Sequence, residues 1–320
     1  MMKRLWLAAA LLLSGSPVFA AEKMQTASAA GAYNTKICPA IAASLAKTGL
    51  SLTCEQSAGS GQNFDDVFKG TVPLALGQLD VFGLKLLEDQ AKGGNATEAM
   101  GSVGFIVPEA LFCVAKKGGR IPTANAWGVL NDSEKPDKPY VVSTYGPSSG
   151  PAGTLGFLRK TFPSFGKNVD VKYQDNFKFD VEAGRLRAGL RDMVCFVNMS
   201  NPADERVMTT VASDDLFFVP LDSPLLATPQ INGRPAYQIM AAPLTGGFLG
   251  MGGTQVRTIH TGVTVYMNVD KISDPLYKAV VAALRDPDLL PKGDALSTLA
   301  QWSDKAMGAG KNLYNEVVRR

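Results

Sequence analysis

Small polar residues gather at a few points of the chain where they could grip a ligand. Ser57, Ser60 and Asn63 lie in and just after the run Ser57-Ala58-Gly59-Ser60-Gly61. Hydroxyl and amide donors at the start of a helix suit a carboxylate without requiring a full cation, although capping the helix is the ordinary work of Ser and Asn there. Gln78 and Asp80 close an apolar stretch, and Tyr33 follows a Gly31-Ala32 turn. Ser148, Ser149 and Thr154 occupy the glycine-rich segment from Gly146 to Thr154, and Asn198 opens another polar corner that runs to Asn201. This chemistry is hydrogen bonding to a small solute. It lacks the adjacent nucleophile and base that covalent catalysis needs.

Other constellations are weaker. The single histidine, His260, excludes a multi-histidine metal site and leaves little for acid–base work. Asp65-Asp66 and Asp214-Asp215 are adjacent pairs, whose side chains diverge on a helix or strand. Arg120, Arg185, Arg187, Arg191 and Arg257 could each hold an anion, but nothing in their spacing selects one. Ser44-Leu45-Ala46-Lys47 and Lys47-Thr48-Gly49 match two motifs of penicillin-recognising enzymes. They share one lysine, so they cannot approach a substrate from opposite sides. The reading is a non-enzyme, with no metal and no cofactor. An exported hydrolase is the less favoured alternative.

The elements that must position these residues follow from patterning. Strands are expected at 24–29, Leu50–Glu55 and Val72–Leu76, the last broken by Gly77-Gln78-Leu79-Asp80. Between them fall a helix over Pro39–Lys47 and another carrying Phe64, Val67 and Phe68. The alternation resumes with strands at Glu109–Lys116, Tyr140–Thr144, Val169–Tyr173 and Met193–Asn198, with helices through Leu158 and over Val181–Leu190. Leu216–Leu221 and Gly262–Val269 read as later strands, and Pro275–Leu284 and Ala295–Val318 as closing helices. Asn131–Pro139 and Thr228–Pro235 read as exposed loops. Strands alternating with helices predict mainly parallel sheets covered by helices, in two lobes facing one cleft.

The chain of 320 residues opens with Lys3 and Arg4, an apolar run from Leu5 to Leu13, and Val18-Phe19-Ala20. That order reads as a signal peptide over 1–20, cleaved after Ala20, for export to the periplasm. Its removal takes the formal charge from +3 to +1, too small for a nucleic-acid footprint. In an oxidising compartment Cys38, Cys54, Cys113 and Cys195 allow three pairings, of which Cys38–Cys54 with Cys113–Cys195 is preferred.

Several of these segments together resemble the TAXI-type solute receptors of tripartite TRAP transporters. They are Gly31-Ala32-Tyr33, Ser57 through Asn63, and Leu74-Ala75-Leu76-Gly77-Gln78-Leu79-Asp80. Further on come Ser148-Ser149-Gly150 with Thr154, Asp192 through Phe196, Asn201-Pro202, and Tyr266 through Asp270. After Tyr33 this chain reads Asn34-Thr35-Lys36-Ile37-Cys38-Pro39, where that family usually carries a second aromatic and an earlier proline. The resemblance implies the type II periplasmic binding fold, with 21–112 as the first part of lobe one, 113–220 as lobe two, and 221–320 as the return segment with C-terminal helices. It also implies a monomer that captures a small metabolite, such as glutamate, glutamine or a small organic acid, for membrane permease subunits. A periplasmic sensor serving a signalling partner is the alternative. The expected ligand-binding set is Tyr33, Ser57, Ser60, Asn63, Gln78, Asp80, Ser148, Ser149, Thr154 and Asn198.

Overall fold

A computed structural model describes residues 21–134, 136–246 and 253–290. The proposed signal peptide and the expected helix at 295–318 lie outside them. In chain order, β1 (Glu22–Gln25) leads to a short π-helical turn at Tyr33–Ile37 and α1 (Cys38–Ala46). Then follow β2 (Leu52–Glu55), α2 (Ser60–Lys69), β3 (Leu74–Gln78), α3 (Leu79–Gln90), α4 (Ala96–Ala99) and β4 (Met100–Val103). The middle of the chain holds β5 (Pro108–Lys116), α5 (Ala126–Leu130), β6 (Tyr140–Tyr145), α6 (Gly150–Thr161) and α7 (Pro163–Asn168). It continues through β7 (Val169–Gln174), α8 (Phe179–Arg187), β8 (Met193–Asn198), α9 (Glu205–Val211) and β9 (Leu216–Phe218). A hairpin of β10 (Gln230–Ile231) and β11 (Arg234–Pro235) precedes β12 (Gln238–Pro243), β13 (Gln255–Asn268) and α10 (Asp274–Arg285).

The pairings repeat one topology twice. In the first half β1 runs parallel to β2 and β3, β3 is antiparallel to the end of β13, and β13 is antiparallel to β4. In the second, β6 runs parallel to β7 and β8, β8 is antiparallel to β5, and β5 is antiparallel to β9. Each sheet is thus three parallel strands extended by a long antiparallel strand and a fifth. β13 belongs to both, pairing β5 and β12 up to Gly262 and β3 from Val263 onward. The chain passes between sheets beside that point, where Ile106 N–H donates to the Val263 carbonyl and Val263 N–H to the Val107 carbonyl. All five residues of β3 are buried, as expected for a strand covered on both faces.

Both disulfides form as expected. Cys38–Cys54 ties the start of α1 to β2, and Cys113–Cys195 joins directly opposed residues of β5 and β8.

Three local expectations need correction. The interruption at Gly77–Asp80 is the end of β3 and the immediate start of α3, a helix the sequence pattern did not reveal because its apolar residues are buried nearly all round. The strand expected to begin at Gly262 begins at Gln255, seven residues earlier. Thr228–Pro235 is not a free loop: Asn232 and Gly233, at φ of 51° and 75°, turn a hairpin, and Ile231 is buried against Gly83 of α3.

Candidate functional site

The two serine- and glycine-rich corners meet directly. Gly61 N–H donates to the Ser148 carbonyl at 3.0 Å, and an atom added at the α-carbon of Gly59 would lie 3.1 Å from the Ser149 Cα. The open gap implied by the sequence is therefore closed at this point. Beside it, Gly150, Gly153 and Gly156 form one face of α6 and press onto Gln78, Val81 and Leu84. Three-residue spacing puts these glycines on a common stripe, and without β-carbons the helices approach closely.

Behind that seam lies a buried polar cluster. Gln78, Asp80, Thr154, Ser60, Tyr237 and Tyr266 are each at most 3% exposed. The Tyr33 hydroxyl donates to Glu109 at 2.8 Å, joining the first turn of the chain to the strand that enters the second sheet. Asp80 Oδ1 accepts from its neighbour Val81 N–H at 2.8 Å, and Asp80 N–H donates to the Thr261 hydroxyl at 3.3 Å. The Tyr266 hydroxyl donates to the Gln78 carbonyl. Among the described residues, the Gln78 side-chain amide (both atoms), Asp80 Oδ2 and Thr154 Oγ1 are buried without a partner.

Burial dominates the electrostatics. It pushes Asp80 up to about 6, with the hydroxyls of Thr154, Tyr237 and Thr261 near enough to oppose the rise without completing a bond to Oδ2. It pushes Glu109 up to about 7, opposed by the Tyr33 hydroxyl, assisted by the charge of Asp80, and opposed again by the Gln78 amide, which lies near the carboxyl without completing a hydrogen bond to it. His260 is driven down to about 4 by burial, so it is neutral, with Nε2 3.3 Å from the Ser200 hydroxyl.

Of the residues singled out by sequence, Tyr33, Ser60, Gln78, Asp80 and Thr154 surround this cluster. Ser60 accepts from Gln78 N–H at 3.3 Å. Ser148 and Ser149 flank it, and Ser149 caps α6 by accepting from Ala152 N–H at 3.4 Å. Ser149→Ala is expected to cost about 1 kcal/mol of stability, read by urea unfolding; a cost near zero would show that the long capping bond contributes nothing. The remaining three are engaged by other protein groups. Ser57 accepts from Gly59 N–H in its own turn, and Asn63 donates to the carbonyls of Thr26 and Leu76 at 2.5 and 2.7 Å, stitching β1 to β3. Asn198 exchanges hydrogen bonds with Asn201. Glu109, Tyr237, Thr261 and Tyr266 were not anticipated. A lone acid inside the apolar run Pro108–Ala115 was the available signal for Glu109; nothing in the sequence marked Tyr237.

No protein-family profile and no curated protein matches the sequence. Solved structures do. XAC2383 from Xanthomonas citri bound to ATP superposes with a TM-score of 0.51 at 11% identity, covering 86% of each chain. The doubled order of three parallel strands, a long antiparallel strand and a fifth decides the architecture. The fold is the two-lobed type II periplasmic binding fold. The GluR0 ligand-binding core from Nostoc punctiforme in complex with L-glutamate is a more distant match, with a TM-score of 0.46 at 12% identity over 89% of this chain and 98% of that one. In this chain the cluster lies beside the α3–α6 contact, next to the point where β13 passes from one set of strands to the other. Among the described residues no helix is long and apolar enough to cross a membrane, and no group of three His, Cys, Asp or Glu side chains could hold a metal ion.

Proposed function

We propose that the chain is an exported solute receptor that closes its lobes over a small amino acid and delivers it to membrane permease subunits of the tripartite TRAP type. One observation carries this reading: an amide, a carboxylate oxygen and a hydroxyl (Gln78, Asp80, Thr154) are buried together at the seam with no partner among the described residues. Buried polar atoms are nearly always satisfied, so a cluster of orphans supports the presence of a ligand that completes it. Asp80 and Glu109 favour an ammonium group, which would give them the counter-charge they lack. The first-turn N–H groups of Gly61 and Ala152 are already taken by the Ser148 carbonyl and the Ser149 hydroxyl, so the donors left for a carboxylate are the Gln78 amide and the Thr154 hydroxyl. A zwitterion of amino-acid size presents both. Tyr33 and Ser60 position the acids and Gln78, while Ser148 and Ser149 hold the rim. Ser57, Asn63 and Asn198 act through their own turns and strands. Hydrogen bonding and closure make up the whole activity, with no reaction and no cofactor.

The test is thermal unfolding with L-glutamate, L-glutamine, succinate and glucose. Amino acids should raise the midpoint, and a compound at 100 times its dissociation constant should add about 2.7 kcal/mol. Gln78→Ala should weaken that binding about tenfold, the usual scale of one buried hydrogen bond. Succinate binding better than either amino acid, or no compound moving the midpoint, would defeat the proposal.

A further inference from the structure

The segment from Pro224 to Met240 bridges both halves of the molecule. Ile231 packs on α3 at Gly83, Arg234 reaches Ser102 at the end of β4, and the Tyr237 hydroxyl donates to the Thr154 carbonyl in α6 at 3.4 Å. Together with the strands that pass between the sheets, this strap lines a half-open cavity of about 520 Å³. The cavity touches the polar cluster only at its edges, through Leu79 and Tyr237. Gln78, Asp80, Glu109 and Thr154 do not line it. Most of its wall is apolar, with Leu79, Phe105, Ile239 and Met240 prominent.

The charged group in that wall, which also carries the polar Tyr237 and Gln238 and the neutral His260, is Arg234. One terminal nitrogen donates to the Ser102 carbonyl at 2.7 Å, while Nε is buried with no partner, and no acid pairs with the guanidinium among the described residues. Burial lowers its affinity for a proton without displacing the charge. Nearby in the same wall, Gln238 Oε1 is buried and unpartnered too. Arg234 as a whole is half-buried, so the cost falls on its buried, unpartnered Nε, and a planar anion that accepts two parallel N–H bonds, from Nε and the adjacent terminal nitrogen, relieves it. Phosphate would leave its further oxygens against Leu, Ile and Met carbons, whereas a carboxylate on a hydrocarbon body satisfies both the polar and the apolar wall.

We infer that this cavity is a second binding site, for an amphipathic monocarboxylate whose carboxylate sits on Arg234 and Gln238 and whose hydrocarbon body packs against Leu79, Phe105, Ile239 and Met240. The Gln238 amide, having no partner on its oxygen, turns about its last torsion to donate. Phe105 lies at the first passage between sheets and Gly262, also in the wall, at the second, so an occupant touches both hinge strands.

The probe is 4-methylpentanoate, with 4-methylpentanamide as its uncharged isostere, titrated by calorimetry into the chain lacking residues 1–20. Saturable binding of the acid is expected, at least about tenfold tighter than the amide, with a shift of the Met240 methyl resonance assigned through Met240→Leu. Arg234→Gln should remove that preference, Arg234→Lys should retain part of it, and Gln78→Ala should leave it within about twofold. No saturation by about 10 mM in the wild-type chain, equal affinity for acid and amide, or an unmoved Met240 methyl would overturn the site without requiring any Arg234 variant to fold. Loss of acid binding in Gln78→Ala would also overturn it, by assigning the probe to the polar cluster. The amino-acid reading of that cluster stands or falls separately.

Discussion

At pH 8 the Glu109→Gln chain, free of ligand, is expected to be more stable than wild type by about 3 kcal/mol, and the two should converge near pH 4. The folded carboxyl holds its proton up to about pH 7, whereas in the unfolded chain it releases it near its ordinary value of 4.5. Between those values the folded state binds more protons than the unfolded one, so the Glu109 contribution to stability falls as pH rises through this window. The loss is complete above pH 7, and a displacement of roughly two and a half units corresponds to about 3 kcal/mol. Glutamine has no proton to lose, and its oxygen still accepts from Tyr33. Asp80→Asn should show the same sign in a window from about 4 to about 6. Because Asp80 raises Glu109 through its charge, the double variant should gain less than the sum of the two. Urea unfolding of wild type and the three variants at unit pH steps measures this. A Glu109→Gln chain less stable than wild type at pH 8 would show that the carboxylate is satisfied in a way the structure does not display.

This pH dependence also reads the ligand's charge. If an ammonium group fills the space beside Asp80 and Glu109, it favours their ionised forms, so binding should tighten from pH 5 to pH 8 as they lose their protons. An anion in the same position should bind more weakly over that range. The slope of affinity against pH thus separates an amino acid from a simple organic acid before either is identified.

The strand–helix alternation was legible because β6 and β8 are short apolar runs bounded by turn residues, and because Pro39 and Gly70 mark helix ends in ordinary ways, whereas β1 is the polar stretch Glu22–Gln25 and overlaps the strand expected at 24–29 by only two residues. The site was legible only in part. Serine and glycine density picked out two corners that the fold brings together, but composition does not say whether such corners stand apart or touch, and here Gly61 bonds to Ser148. Asn63 shows the same limit. Its type fits a ligand donor, yet its amide N–H groups go to Thr26 and Leu76, a destination set by tertiary packing. α3 escaped notice for the converse reason. Its first half, Leu79–Leu84, is buried all round and, Asp80 apart, its polar residues Lys85, Glu88, Asp89 and Gln90 gather in the second half, so the full-length 3.6-residue stripe that identifies a surface helix is missing.

The closeness of α3 and α6 makes the closed state sensitive to a single atom group. A β-carbon at Gly153 would fall 2.5 Å from Val81 Cγ2, and one at Gly156 2.8 Å from Leu84 Cδ2. Val81 is β-branched and buried, so it has little freedom to move aside. Gly153→Val therefore forces the helices apart, at a cost of about 2–3 kcal/mol typical of overpacking. The lobes meet through these helices, so separation relieves the clash more readily than unfolding does. The closed population, and with it the affinity for the cleft ligand, should fall roughly 30- to 150-fold. The radius of gyration in solution scattering should rise. Gly184 in α8 is the control: it is solvent-exposed, and a β-carbon there meets nothing within 4 Å. Gly184→Ala should leave both readouts unchanged and add about 0.5–1 kcal/mol of stability through helix propensity alone. If Gly153→Val keeps wild-type affinity and dimensions, the α3–α6 contact is not what closure forms, and the polar cluster behind it is not reached by opening the lobes at this seam.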